Sequence, residues 1–142
     1  MEVQNNDGMQ YWLIKSEPET FSYQDLVKKG KEHWDGVRNY QARNNLAAMQ
    51  PGDLCLFYHS VSEKAVVGIA EVVSLPYPDP TTEDTRWVCV DVSPWSAFKK
   101  PVSLDTIKNT STLQGLLLIR HSRLSVMPVS KEHFDIIVGM SK

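Results

Sequence analysis

Between residues 34 and 46 the chain reads WDGVRNYQARNNL, which sets the aromatics Trp34 and Tyr40 and the guanidiniums Arg38 and Arg43 beside the carboxamides Asn39, Gln41, Asn44 and Asn45. A flat heteroaromatic ring leaving water needs an aromatic face to stack on and carboxamides to read its donor and acceptor edge. It also needs cationic groups for any attached phosphate. This stretch supplies all three. The same residues also suit plainer roles, with Trp34 and Tyr40 as packing, the arginines as solvated charge and the asparagines as caps and turns.

Four further segments offer polar groups near the ends of apolar runs. KSEP places Lys15 and Ser16 at the end of the first such run, and YHS places Tyr58, His59 and Ser60 at the end of another. YPD puts Tyr77, Pro78 and Asp79 in a rigid turn, and RHSRLSV brings Arg120 and Arg123 just ahead of a last apolar segment. Each has a structural alternative: a charged turn, a core Tyr with a carbonyl-bonded His, a turn alone, and surface arginine.

Several chemistries find no support. The seven glycines never take GxxxxGK or GxGxxG spacing, which argues against nucleotide hydrolysis or dinucleotide binding. His33, His59, His121 and His133 show no metal-ligand spacing with each other or with cysteine, so neither metal nor cofactor is expected. Cys55 and His59 fall on one face of a single strand, but four residues of strand separate their Cα atoms by about 13 Å, too far for a thiol and imidazole pair. Ser60 lacks the GxSxG-like turn of a hydroxyl nucleophile.

Fifteen basic against seventeen acidic side chains leave a formal net charge of −2, so any contact with a polyanion must be local rather than long-range. Cys55 and Cys89 sit inside apolar runs and read as core thiols of a reducing compartment. The polar start has no signal-peptide character, and no segment approaches the roughly 20 apolar residues of a membrane span. A cytoplasmic protein making no membrane contact is the expectation.

The elements that must position these groups are legible as well. YWLIK reads as a core strand, and Ser22 with Asp25 caps a short helix to about Lys29, closed by Gly30. Ala42, Leu46 and Met49 fall at i, i+4 and i+7, which predicts a helix over about 40–49 with Asn39 as its N-cap. The loop from Trp34 to Asn39 is then the part able to meet a ligand. LCLFYHS, AVVGIAEVVS and RWVCVDVSPW read as three strands apolar on both faces, as in the covered sheet of a small barrel. Ser103 and Ser130 cap two more helices, and RLSVMPV reads as a final strand. The 142 residues fit residues 1–9 as a loose tail and 10–142 as one α+β domain with a curled mixed sheet and short helices at its margins.

Taken together, YWLIKSEP, WDGVRNYQARN, PGDLCLFYHS, VVGIAEVV, YPDP, RLSVMPV and FDIIVGM resemble, in order and spacing, the EVE domain of the PUA-like superfamily. The short polar start is more similar to the small bacterial form than to eukaryotic members with long basic tails. The resemblance implies a PUA-like pseudo-barrel flanked by short helices and a pocket for a modified nucleobase. Carried onto this chain, the implied lining is Lys15, Ser16, Trp34, Val37, Arg38, Asn39, Tyr40, His59, Ser60, Tyr77, Pro78 and Asp79, with Arg43 and Arg123 near the rim. The expected function is a non-catalytic, monomeric reader of a methylated or oxidised cytosine, or a modified purine, flipped out of DNA or RNA. Trp34 or Tyr40 would stack on the ring, and Asn39, Ser60 and Asp79 would address its edge. Lys15, Arg38, Arg43 and Arg123 would hold phosphates. Two other classes fit the same residues: an enzyme on a modified nucleotide with His59 as general base assisted by Asp79 or Ser60, and a peptide-binding interaction module.

Overall fold

A computed structural model describes residues 8–142; of the tail expected over 1–9, residues 1–7 lie outside the described residues. The first strand, β1 (Tyr11–Ser16), leads into α1 (Tyr23–Lys29), the two-residue β2 (Glu32–His33) and α2 (Tyr40–Ala47). The hairpin β3 (Leu54–His59) and β4 (Ala65–Val72) follows, then β5 (Tyr77–Pro78), β6 (Val88–Cys89) and the long β7 (Asp91–Ser103). Three helices, α3 (Leu104–Lys108), α4 (Leu117–Arg120) and α5 (Lys131–Met140), with β8 (Val126–Val129) between the last two, complete the chain.

Six strands form one sheet in the order β2-β7-β4-β3-β1-β8, and β5 pairs with β6 in a separate ribbon. Among the described residues only the β1–β3 pairing is parallel, with Ser16 opposite His59, so the C-terminal ends of both strands emerge at the same margin. That parallel pair is what gathers KSEP and YHS, far apart in sequence, on one side of the molecule. Register shifts at Phe57/Tyr58, Val66/Gly68 and Ile69/Ala70 add the local twist that curls the sheet. Leu13, Ile14, Leu56, Phe57 and Val66 are buried on a sheet covered from both faces, as the uninterrupted apolar runs require.

The expected caps are present. Ser22 and Asp25 form a capping box and Gly30 closes α1 in the left-handed conformation. The side chains of Asn39, Ser103 and Ser130 each accept from the backbone N–H three residues on. Asp53, buried after the Pro51-Gly52 turn, accepts from Trp12 Nε1 at 3.0 Å, Gln50 N at 2.9 Å and Gln10 N at 3.1 Å, which ties the start of β3 to β1. Gly68 is needed for space: a Cβ there would lie 2.8 Å from the Tyr23 ring, whose hydroxyl donates to Ile69 O at 2.7 Å.

The third expected strand differs from its reading as RWVCVDVSPW. It breaks at Val90, where Val88–Cys89 pairs with Tyr77–Pro78, while the remainder continues as β7 through Pro94 and Pro101 to Ser103. Pro94 is tolerated because its partner Ala70 sits at one of the register shifts, where the ladder is already interrupted.

Candidate functional site

The loop between β2 and α2 is built to hold a fixed shape. Trp34 N donates to Val90 O at 2.7 Å. Gly36, at φ +77°, donates its N–H to Asp79 Oδ2 at 2.8 Å. Arg38 Nη1 reaches the same oxygen at 3.0 Å, and its Nη2 reaches Thr81 Oγ1 at 3.0 Å. Burial alone would push the Asp79 carboxyl up, but bonds from Thr81 Oγ1, Gly36 N, Thr81 N and Arg38 overcome it and hold the group well below the usual carboxylate range. Asp79 is thus a buried anchor from which the loop hangs.

An open cavity of about 640 Å³ lies between this loop, the end of β1 and the turn that follows it. Trp34 contributes the aromatic wall. It is 9% exposed, and its indole meets Phe21 at 6.3 Å and Phe57 at 5.5 Å edge to face, so the ring belongs to the core while also lining the cavity. Phe21 lines the cavity beside it.

Polar groups converge on the same space. Lys15 Nζ donates to Ser122 O at 2.7 Å, and partial burial pulls its ammonium below the ordinary lysine range. Asn39 Oδ1 accepts from Ala42 N at 2.9 Å as the cap of α2, which leaves Nδ2 without an acceptor among the described residues. Asp35 lines the cavity with no hydrogen-bond donor from another side chain among the described residues. Burial first, then the charges of Asp79 and Glu32, push its carboxyl up, partly offset by His33. His33 lines the rim, its Nδ1 3.0 Å from Asp91 Oδ1 and 2.9 Å from the Tyr77 hydroxyl.

Of the site residues expected from sequence, the structure brings Lys15, Ser16, Trp34, Val37, Arg38 and Asn39 onto this cavity. The others stand elsewhere. His59 is buried, with Nε2 accepting from Tyr23 N at 3.0 Å at the start of α1 and Nδ1 2.6 Å from Glu63 Oε1, so both ring nitrogens are engaged. Ser60 N donates to Ser16 O at 2.9 Å, joining the two strand ends behind the cavity. Tyr77 donates to Asp91 at 2.5 Å, Pro78 pairs with Val88, and Asp79 supports the loop from below. Tyr40 is exposed and packs on Trp87, and Arg43 Nε is spent on Arg86 O at 2.6 Å. Arg123 opens onto a neighbouring depression of about 280 Å³ that shares Asn39 with the main cavity.

Sequence reasoning passed over Glu17, Phe21, Glu32, His33, Asp35 and Ser125, all of which line the cavity. Asp35 and Gly36 lie inside the quoted loop and were within reach. Phe21 and Ser125 depend on topology: Lys15 N donates to Ser125 O only because β8 pairs beside β1. Among the described residues no cluster of three or more His, Cys, Asp or Glu is arranged to hold a metal, and no described helix is long and apolar enough to cross a membrane.

Comparison with known proteins fits this architecture. The EVE domain profile matches residues 10–140. Mouse thymocyte nuclear protein 1 is 35% identical over 93% of this chain and 74% of its own length. The crystal structure of Atu2648 from Agrobacterium tumefaciens superposes with a TM-score of 0.91 at 44% identity, over 93% of this chain and 92% of that one. Human THYN1, crystallised in complex with DNA containing 5-methylcytosine, superposes with a TM-score of 0.88 at 32% identity, over 94% of this chain and 98% of that one. The curled sheet and marginal helices are the PUA-like pseudo-barrel, and the chain belongs to the EVE domain family.

Proposed function

We propose that the protein reads a modified cytosine in DNA, turned out of the base stack into the cavity beneath the Trp34–Asn39 loop, and that it makes or breaks no bond there. The observation that supports this most is the cavity itself: an aromatic wall, an uncommitted carboxamide amine, an uncommitted carboxyl and two cations face one open space of about 640 Å³. That composition sits in a chain whose human relative was crystallised with 5-methylcytosine-containing DNA.

In this reading the ring lies against the aromatic wall that Trp34 and Phe21 share, and Asp35 accepts from the exocyclic amine, the acceptor geometry that suits cytosine N4. Asn39 Nδ2 donates to an acceptor on the same edge, and Lys15 and Arg38 hold phosphate oxygens. Asp79, Ser60 and His59 act one layer back, fixing the loop and the strand ends. Stacking is worth about 1–3 kcal/mol per base, so one pocket alone gives weak affinity and the phosphate contacts must add to it.

Fluorescence anisotropy with oligonucleotides that differ at one base tests this. Single-stranded DNA carrying 5-methylcytosine is expected to bind more tightly than the same strand carrying cytosine. Thymine, which shares the 5-methyl group but presents a keto oxygen in place of the amine, is expected to bind poorly. Asp35→Asn should then lose the distinction between 5-methylcytosine and thymine. Equal binding of all three bases by the unaltered protein overturns the reading, and tighter binding to the matching RNA moves it to another nucleic acid.

A further inference from the structure

Arg38 connects the cavity to a second cluster that the loop itself does not explain. Its guanidinium carbon lies 5.5 Å from the centre of the Trp87 ring, and Trp87 packs on Tyr40 with centroids 5.0 Å apart and planes inclined by 32°. Tyr40 is the first residue of α2, next to Asn39, and is 55% exposed, although an aromatic ring at the start of a helix has the adjoining core to turn into.

The ring is instead held outward. Arg86 Nη1 donates to the Tyr40 hydroxyl at 2.8 Å, while Asp84 grips the same guanidinium, Arg86 Nη2 to Asp84 Oδ2 being 2.6 Å. Arg43, one turn along α2, donates back to Arg86 O at 2.6 Å. The turn at 84–87 and the start of α2 are thus tied in both directions, and what they present to solvent is a fixed aromatic surface edged by three guanidiniums. Two of these are balanced by Asp79 and Asp84, so the surface attracts by stacking and short contacts rather than by bulk charge. That accords with a chain whose formal net charge is −2.

Taking the base-binding reading of the cavity as its footing, we propose that Tyr40 and Trp87 form a stacking platform for the unpaired nucleotide next to the flipped base. The occupant is an exposed base of single-stranded or locally opened DNA: its π-face meets Tyr40, its identity is unimportant, and its phosphate passes Arg38 and Arg43 on the way into the cavity. Continuity supports this choice over a protein partner, because Arg38 and the Asn39–Tyr40 step belong to both surfaces.

The test pairs two ligands: 5-methyl-2′-deoxycytidine monophosphate, which reaches only the cavity, and a short single-stranded oligonucleotide carrying one 5-methylcytosine. Tyr40→Ala is expected to weaken the oligonucleotide by about 5- to 150-fold and to leave the mononucleotide unchanged. Tyr40→Phe, which keeps the ring but loses the hydroxyl that Arg86 holds, should fall between Tyr40→Ala and the unaltered protein on the oligonucleotide and bind the mononucleotide like the unaltered protein, whereas Trp95→Ala, an exposed indole on β7 outside both clusters, should bind both like the unaltered protein. Unchanged oligonucleotide affinity in Tyr40→Ala, or an equal loss for both ligands, overturns the platform while the cavity reading stands. Loss on the oligonucleotide alone, with the unaltered protein failing to bind the mononucleotide, keeps the platform and removes the cavity reading. No oligonucleotide binding by the unaltered protein removes both.

Discussion

Asp79 Oδ2 accepts the backbone N–H of Gly36 at 2.8 Å, so a carboxylate from the turn after β5 sets the shape of the loop that walls the cavity. The same oxygen receives Arg38, and the other oxygen receives Thr81. Removing this buried carboxylate takes the acceptor from the N–H groups of Gly36 and Thr81 and from the Arg38 guanidinium at once. Asp79→Ala is expected to cost about 1–3 kcal/mol in urea unfolding, and Asp79→Asn less, since an amide oxygen still accepts from Gly36. Hydrogen exchange should accelerate at residues 35–38 more than in β3 or β4. Uniform exchange in the variant would show that the loop keeps its shape by other means.

The carboxyl of Asp35 is shifted in the opposite direction from that of Asp79, and the two acids predict opposite responses to pH. Asp79 is held below its ordinary range, so its contribution is present at neutral pH and is lost as the medium becomes strongly acidic. Asp35 is pushed up by burial and by Asp79 and Glu32. A raised carboxyl contributes fully below its unfolded value of about 3.9 and loses that contribution as pH rises through the folded value. Asp35→Asn should therefore raise the Tm near neutral pH and leave it unchanged well below the carboxyl range. A Tm gain that is the same at both ends would contradict the electrostatic account.

How much of this was legible beforehand differs between fold and site. Capping signals are local, so Ser22, Asn39, Ser103 and Ser130 announce their helices in the sequence, and the structure places each as a cap. The resemblance to the EVE domain supplied the pseudo-barrel. Burial of polar groups is not local. Asp79 and Tyr77 have the residue types of a binding site, yet they turn inward to meet Gly36 and Asp91, because β5 pairs with β6 under the loop rather than beside it. His59 likewise ends a strand as a ligand-binding residue would, but caps α1 instead. In the other direction, Asp35 was hidden by its neighbours in the quoted motif, and Arg86 and Trp87 by their reading as the start of the strand RWVCVDVSPW, which begins only at Val88.

Asn39 performs two tasks with one side chain, and they can be separated. Its oxygen caps α2 through Ala42 N at 2.9 Å, while its amine is free to face a ligand. Asn39→Ala removes both and should cost about 0.5–2 kcal/mol of stability along with selectivity. Asn39→Asp keeps a capping oxygen, so thermal unfolding should stay near that of the unaltered protein. Discrimination between 5-methylcytosine and other bases should nonetheless fall, measured by isothermal titration calorimetry. Full discrimination in Asn39→Asp would assign the residue to the helix alone.

Cations around the cavity divide into those already paired and those free to meet phosphate, and salt dependence tells them apart. Arg123 is exposed beside Asn39, in the depression that also holds Ser122, the residue whose carbonyl receives Lys15. It makes no ion pair with the described residues. Each phosphate neutralised adds about 0.7 to the log–log salt slope on a single strand and about 0.9 on a duplex. Arg123→Ala should flatten the slope by that amount while leaving the Tm unchanged. Arg38 differs, because its guanidinium lies 3.0 Å from the buried Asp79 carboxylate. Arg38→Ala should lower the Tm as well as the affinity, since it leaves that charge without its partner. An unchanged slope in Arg123→Ala would make Arg123 a solvated surface charge and leave the phosphate contacts to Lys15, Arg38 and Arg43.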